Sequence, residues 1–184
     1  MFPGIGSIRQ VPILQTSRLT LREFEPEDSN ALARVLSDAE TMRYYPAPYG
    51  RVGVEQWIAS NRERYKEDGV GLWAMESKET RELIGDCGII RQQVDGDHLY
   101  EIGYHLRRDF WHRGLATEAA IACREWAFQH LKTERLISLI RPENLPSRRV
   151  AERNGMTLWK EINWRDLPHY VYSVNNPQNN HASR

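Results

Sequence analysis

The sequence predicts an α+β fold: a mixed, mostly antiparallel sheet of about seven strands with helices on its faces. Three consecutive strand-like runs, LWAMES, ELIGDCGII and LYEIGYHLRR, follow one another, and Asp95 and Gly96 between the last two are a tight-turn signal, so antiparallel hairpins are expected. A strand, helix, strand succession from LYEIGYHLRR through residues 114–130 to RLISLI then requires a parallel crossover. Between and around these runs the apolar spacing is that of helices packed on a sheet.

In order along the chain, Leu19, Leu21 and Phe24 mark a first strand. Pro26 closes it and suits the first turn of a helix, with Glu27 and Asp28 following where a helix dipole favours acids; this helix runs to about Ser37. Val54, Trp57, Ile58 and Tyr65 recur at helical spacing, with Gly69 as a stop, and give a second helix. The three strands already named come next. Leu115, Ala119, Ala122, Cys123, Trp126 and Ala127 then form the stripe of a central helix from Gly114 to His130. RLISLI is a β-branched strand, PSRRVAERNG a short helix with Pro146 early and Gly155 at its end, and MTLWKEINW and YVYSVN are two last strands. A single domain over residues 1–184 is expected, its body spanning about 14–174, with residues 1–14 and the polar tail from Asn175 loosely held.

Composition narrows the chemistry. Lys plus Arg and Asp plus Glu both number 25, so no global field exists to gather nucleic acid or an anionic membrane, and neither is expected as a partner. Any anion site must be local. Cys87 and Cys123 lack metal-ligand or CxxC spacing, which argues against a zinc site and a disulfide framework and favours a reduced, cytoplasmic setting. No run of about 18 apolar residues and no cationic leader occurs. The phosphate motif GxxxxGK[ST] is missing, GIGSIR has Arg9 where a dinucleotide fingerprint needs its third Gly, and HExxH and GxSxG are missing too. Group transfer without a metal remains.

The segment Arg107 to Ala120 places a strand end, a turn ending in Arg113 and Gly114, and a helix start in succession. A helix start offers unpaired N–H groups and partial positive charge, so it can hold a pyrophosphate; Gly114 allows close approach, Arg113 adds charge and Thr117 a hydroxyl. Alone, such a segment is more often only a turn and a cap.

In company it says more. TSRLTLREF, TMRYYPAPYGRVGVEQWI, EIGY, FWHRGLATEA and ENLPSRRVAERNGM, in this order, resemble the GCN5-related N-acetyltransferase (GNAT) superfamily, in the branch of ribosomal-protein N-terminal alanine/serine acetyltransferases. The resemblance covers about Leu14 to Val174 and implies a sheet splayed between its fourth and fifth strands, LYEIGYHLRR and RLISLI. It implies acetyl-coenzyme A as acyl donor, no metal, an amine acceptor that is a protein N-terminus or a small molecule, and a monomer or homodimer. The turn amides of Trp111, His112, Arg113, Gly114, Leu115 and Ala116, with Thr117, would hold the pyrophosphate. Tyr104, His105 and Leu106 would pair with the pantetheine, and Asn144 and Ser147 would flank the thiol. Trp111 stands at the first position of the superfamily's Gln/Arg-x-x-Gly-x-Gly/Ala, and His112 where this branch usually has Gly, a residue that would crowd the phosphate or, protonated, help neutralise it.

Acyl transfer to an amine needs the amine neutral, an oxyanion stabilised and a thiolate able to leave. An α-amine titrates near about 8 and a lysine near about 10.4, so the former needs less help. A fixed N–H near Leu106 is the candidate for the oxyanion, a contribution on the order of 3 kcal/mol. Strand alternation sets Glu101, Gly103 and His105 on one side. Glu101 is then either a base, directly or through water, or a carboxylate paired with an Arg; His105 is a structural histidine or a proton carrier. Ser147 is a thiolate-protonating acid or a helix-cap residue, and Asn144 a pantetheine contact or an Asx turn. Tyr44, Tyr45, Trp57 and Trp73 are candidates for an acceptor groove, with Trp57 also suiting the core, and Tyr170 and Tyr172 would close the far side. The competing reading is a coenzyme A binding module without turnover.

Overall fold

The structure, a computed structural model, describes residues 11–177. Its elements are β1 (Leu14–Gln15), β2 (Leu19–Arg22), α1 (Ser29–Leu36), α2 (Arg51–Glu67), β3 (Leu72–Ser77), β4 (Leu83–Val94), β5 (Asp97–Leu106), α3 (Leu115–His130), β6 (Arg135–Ile140), α4 (Leu145–Arg153), β7 (Thr157–Trp164) and β8 (Leu167–Asn175). They build one sheet in the order β1-β2-β3-β4-β5-β6-β8-β7, in which only β5 and β6 run parallel. This is the mixed, mostly antiparallel sheet expected, with one strand more.

The extra strand is β1. Residues 11–14 belong to the stretch expected to be loose, yet Ile13 N–H donates to Leu21 O at 2.8 Å and Leu14 faces Leu21 in the ladder. Two residues beside Pro12 are too short for any period to register. The tail is ordered further than expected as well: Asn175 faces Arg135 in the β6–β8 ladder, and Asn176 N–H donates to Glu134 O at 2.8 Å. The expectations for residues 1–10 and 178–184 lie outside the described residues.

Strand alternation divides the apolar side chains between two cores. Trp73 and Met75 of β3 join Ile84, Cys87, Ile89 and Ile102 under Leu115, Ala119, Cys123 and Ala127 of α3. Ala74, between them, joins Leu32, Val35 and Leu36 of α1 and Val54 and Ile58 of α2 on the opposite face. Trp73 is 1% exposed and packs edge-on against Trp126, so it is core and not acceptor groove. Cys87 and Cys123, remote in sequence, meet in this core with sulfurs 3.6 Å apart as free thiols, and burial raises the Cys87 pKa.

The entry into α1 is a single 3-10 turn, Pro26–Asp28, held by a capping box between Glu25 and Asp28. Arg22 at the end of β2 grips both Asp28 oxygens at 2.8 Å, fastening strand to helix. At the β4–β5 turn Asp95 (φ 52°) and Gly96 (φ 91°) are both left-handed, the hairpin geometry their dipeptide favours. A second such turn, Arg165 (φ 50°) and Asp166 (φ 61°), joins β7 to β8. No helix among the described residues is long and apolar enough to cross a membrane.

Candidate active site

Parallel pairing between β5 and β6 extends only over Tyr100–Leu136 and Glu101–Ile137. Beyond it the strands part, and two side chains bridge the fork: the Ser138 hydroxyl donates to Ile102 O at 2.7 Å, and Leu139 N–H donates to Glu101 Oε1 at 3.2 Å. Buried backbone groups at a sheet fork need such partners. Further along, Arg107 N–H bonds to Ile84 O on β4, so by alternation the N–H groups of Tyr104 and Leu106 point away from β4, into the gap. The Leu106 carbonyl is occupied, accepting from Trp111 Nε1 at 2.7 Å.

A cavity of 570 Å³ opens at this gap. Tyr104 and His105 both line it although adjacent strand residues face opposite ways, so the cavity passes through the sheet from one face to the other. The two faces carry different chemistry.

On the α3 side the wall is the turn from Trp111 to Thr117. His112 (φ 61°) and Gly114 (φ 76°) are left-handed, and α3 begins at Leu115 with Gly114 as its N-cap, which has no side chain to cap with. The first amides of α3 therefore have no partner inside the helix, and Leu115, Ala116 and Thr117 line the cavity with Trp111, His112 and Gly114. Glu118 would oppose an anion here, but its carboxylate is drawn aside to Thr16, Ser17 and Arg18. Burial works against the Glu118 charge; the hydrogen bonds outweigh it and lower its pKa. The Arg113 side chain departs from expectation: it does not line the cavity and its guanidinium lies over the Phe110 ring, 5.1 Å from its centre.

The left-handed φ of His112 explains why glycine suits this position, since an L side chain there costs about 1–2 kcal/mol. Glycine also loses about 0.5–1 kcal/mol of chain entropy on folding, so His112→Gly is expected to stabilise the fold slightly, by up to about 1 kcal/mol. Thermal unfolding would register this as an unchanged or slightly raised Tm; a clear fall would mean that the imidazole itself holds the turn.

Across the mouth of the fork stands α4. Asn144 is its N-cap, accepting from Ser147 N–H at 3.2 Å, and Tyr104 donates its hydroxyl to Ser147 O at 2.8 Å. Asn144 and Ser147 both line the cavity, so each is at once a cap element and a wall residue. Burial raises the Tyr104 pKa well above that of an ordinary phenol. Arg149 and Arg153, one turn apart on α4, also line the cavity and form no ion pair among the described residues; nothing in their spacing had singled them out. Tyr170 and Tyr172 do not close the site. Tyr172 is 2% exposed, and both tyrosines brace Arg148 behind α4.

On the α2 side His105, Tyr45 and Trp57, each singled out in the sequence, are joined through Asp86, which sequence reasoning missed. His105, 8% exposed, directs Nδ1 to Asp86 Oδ1 at 2.7 Å and Nε2 to the Tyr45 hydroxyl at 2.6 Å. Asp86 is fully buried and its second oxygen accepts from Trp57 Nε1 at 2.9 Å. Gly85 makes room, since a Cβ there would lie 2.1 Å from His105 O. Tyr45, 40% exposed, reaches the cavity from the loop after α1, with Tyr44, Arg43, Thr41 and Glu40 beside it. Glu101 shares the His105 face but is not in the cavity wall. It is 8% exposed and makes no Arg ion pair among the described residues; Gln92 Nε2 and Leu139 N–H donate to its two oxygens. Burial raises its pKa to about 6. Among the described residues no group of three His, Cys, Asp or Glu side chains is placed to hold a metal.

Comparison with known proteins agrees with this geometry. Residues 18–157 match the family model described as an acetyltransferase (GNAT) domain. The protein YkkB of Bacillus subtilis is 38% identical over 160 residues, 86% of this chain and 93% of its own. Among solved structures, an acetyltransferase from Agrobacterium tumefaciens superposes with a TM-score of 0.77 at 30% identity, over 90% of this chain and 95% of that one. A ribosomal-protein-S5-alanine acetyltransferase from Vibrio fischeri shares the fold, with a TM-score of 0.68 at 17% identity over 89% of this chain and 96% of that one.

Proposed function

The chain belongs to the acetyltransferase (GNAT) family, and from that premise we propose that it transfers an acetyl group from acetyl-coenzyme A to a primary amine, a protein N-terminal α-amine or a small molecule. The observation that carries this reading is the uncapped α3 start behind the left-handed Gly114, opening into a cavity that crosses the sheet. A pyrophosphate fits such amides. Thr117 adds a hydroxyl, and Arg149 and Arg153 add charge for the phosphates. The pantetheine would run along the free edge of β5 at Tyr104, His105 and Leu106, as an added strand does.

The thioester carbonyl would then meet the Leu106 N–H, which points into the gap. The oxyanion that forms when nitrogen attacks is stabilised there by a donor already in place. Ser147, with its backbone N–H and carbonyl both engaged, stands at the thiol end to pass a proton to the departing sulfur. Glu101 keeps the fork open by holding Leu139 to β5 and supplies negative charge beneath His105. With both oxygens accepting and no place in the cavity wall, it acts from behind the site.

The test is thiol release from acetyl-coenzyme A across a panel of small amines and N-terminal peptides. Amine-dependent release with a mass gain of one acetyl group on the acceptor is the expected result. Tight coenzyme A binding without release for any amine would sink the enzyme reading in favour of a binding module.

A further inference from the structure

We propose that Tyr45 and His105, with Asp86 behind them, form the relay that takes the proton from the acceptor amine, Tyr45 touching the amine and His105 receiving the charge. The proposal rests on the acetyltransferase reading and assigns a step that reading leaves without a residue. The pattern of donors and acceptors sets its direction. Asp86 accepts on both oxygens, from Trp57 Nε1 and from His105, as an ionised carboxylate does, so His105 carries its proton on Nδ1. Nε2 of the neutral ring is then an acceptor, and the Tyr45 hydroxyl donates to it.

Tyr45 is the outer member. Its ring is tilted 47° against His105 at 5.3 Å between centres, while Trp57 packs edge-on against the imidazole at 5.4 Å. The imidazole is thus held by two hydrogen bonds and two rings, and the cavity lies at its Tyr45 end. Charged or titratable groups around it are Asp86 on β4, Tyr45 on the loop after α1 and Glu101 on its own strand.

The step balances as follows. An ammonium N–H proton passes to Tyr45 Oη as the Tyr45 hydroxyl proton passes to His105 Nε2, leaving a neutral amine, a neutral phenol and an imidazolium held by Asp86. The amine nitrogen then bonds to the thioester carbon, the C–S bond breaks, and the second nitrogen proton goes to sulfur. His105 returns its proton to solvent when the products leave.

Three variants of the full chain test this: Tyr45→Phe, His105→Gln and Asp86→Asn. Coenzyme A binding, followed by titration calorimetry, is expected to stay within about twofold in Tyr45→Phe, while in both Tyr45→Phe and His105→Gln kcat for the fastest amine of the panel falls about 100-fold or more. The defect should shrink for amines whose pKa lies below the assay pH, because these arrive neutral, and in His105→Gln the acid limb of the kcat profile should follow the ionisation of the amine itself. Asp86→Asn should move that limb to lower pH, since the imidazolium loses its counter-charge. In the unliganded protein, the proton NMR spectrum should hold a low-field His105 Nδ1–H signal that Asp86→Asn removes. Undiminished kcat in both Tyr45→Phe and His105→Gln, a defect independent of amine basicity, or no such signal in the parent would overturn the relay. Parent protein that turns over no amine would remove the enzyme reading and the relay with it; turnover that survives loss of His105 removes the relay alone.

Discussion

Gly114→Val is expected to weaken coenzyme A binding by about 100-fold, the largest effect of any single change outside the relay. The cause is conformational. A Cβ at Gly114 would meet nothing nearer than Arg18 Nη2 at 3.7 Å, so there is room for the side chain, but at φ 76° an L residue is strained by about 1–2 kcal/mol and a β-branched one by more. The turn escapes the strain by rotating its peptide, which swings the amides before Leu115 away from the cavity. Two hydrogen bonds to a charged phosphate, at about 1.5–3 kcal/mol each, correspond to about 100-fold or more in Kd. Equilibrium titration with coenzyme A measures this directly. Gly96→Val supplies the control: φ is 91°, nothing lies within 4 Å, and the turn is not part of the cavity wall. It should lower Tm while leaving Kd unchanged. Equal Kd values for the parent and Gly114→Val would remove the turn from the binding site.

That turn was legible because an apolar stripe of period 3.6 begins directly after a glycine, with no capping residue before it. The division of β5 into a Glu101–His105 face and a Tyr104–Leu106 face was legible from alternation alone. The partner of His105 was legible in principle. A two-residue turn at Asp95–Gly96 fixes the register of the whole hairpin, so the ninth residue before it, Asp86, must face the ninth after it, His105. The further signal was an aspartate in the middle of the apolar strand ELIGDCGII, a position that demands a hydrogen-bonded partner. What no period could supply was Tyr45. It lies in an irregular stretch between α1 and α2, and where its side chain goes depends on how both helices pack on the sheet. Trp73 failed for the converse reason: an aromatic in a strand is equally at home in a groove or a core, and only the position of Trp126 on α3 decides it.

The site also explains why the fork in the sheet does not simply close. Ile102 O and Leu139 N–H would pair with the opposite strand if β5 and β6 stayed together; each instead takes a side chain, Ser138 for the one and Glu101 for the other. These two backbone groups are therefore satisfied without re-pairing, which helps to hold the gap open. Glu101 serves this purpose at a cost set by pH.

Glu101→Gln should reveal that cost as a change in the slope of stability against pH. Burial raises the Glu101 pKa from 4.5 to about 6, so the folded protein favours the neutral acid. Below about pH 4.5 the side chain is protonated in folded and unfolded chains alike and imposes no difference. As pH rises towards and through about 6 the unfolded chain releases the proton more readily, and the stability the neutral acid contributed is lost; above about pH 7 the loss levels off at about 2 kcal/mol. Glutamine cannot ionise. The Gln92 amide can turn over to accept from its Nε2, while its Oε1 still accepts from Leu139 N–H, so both hydrogen bonds survive in form. Any fixed offset from the new pairing is the same at every pH. The difference in Tm between Glu101→Gln and the parent should therefore move in the variant's favour by about 4–8 °C between about pH 3.5 and 7.5, at roughly 2–4 °C per kcal/mol for a chain of this size. Parallel Tm curves across that window would mean that Glu101 is ionised as readily in the fold as in water, and that its charge is available to His105 at every pH at which the enzyme works.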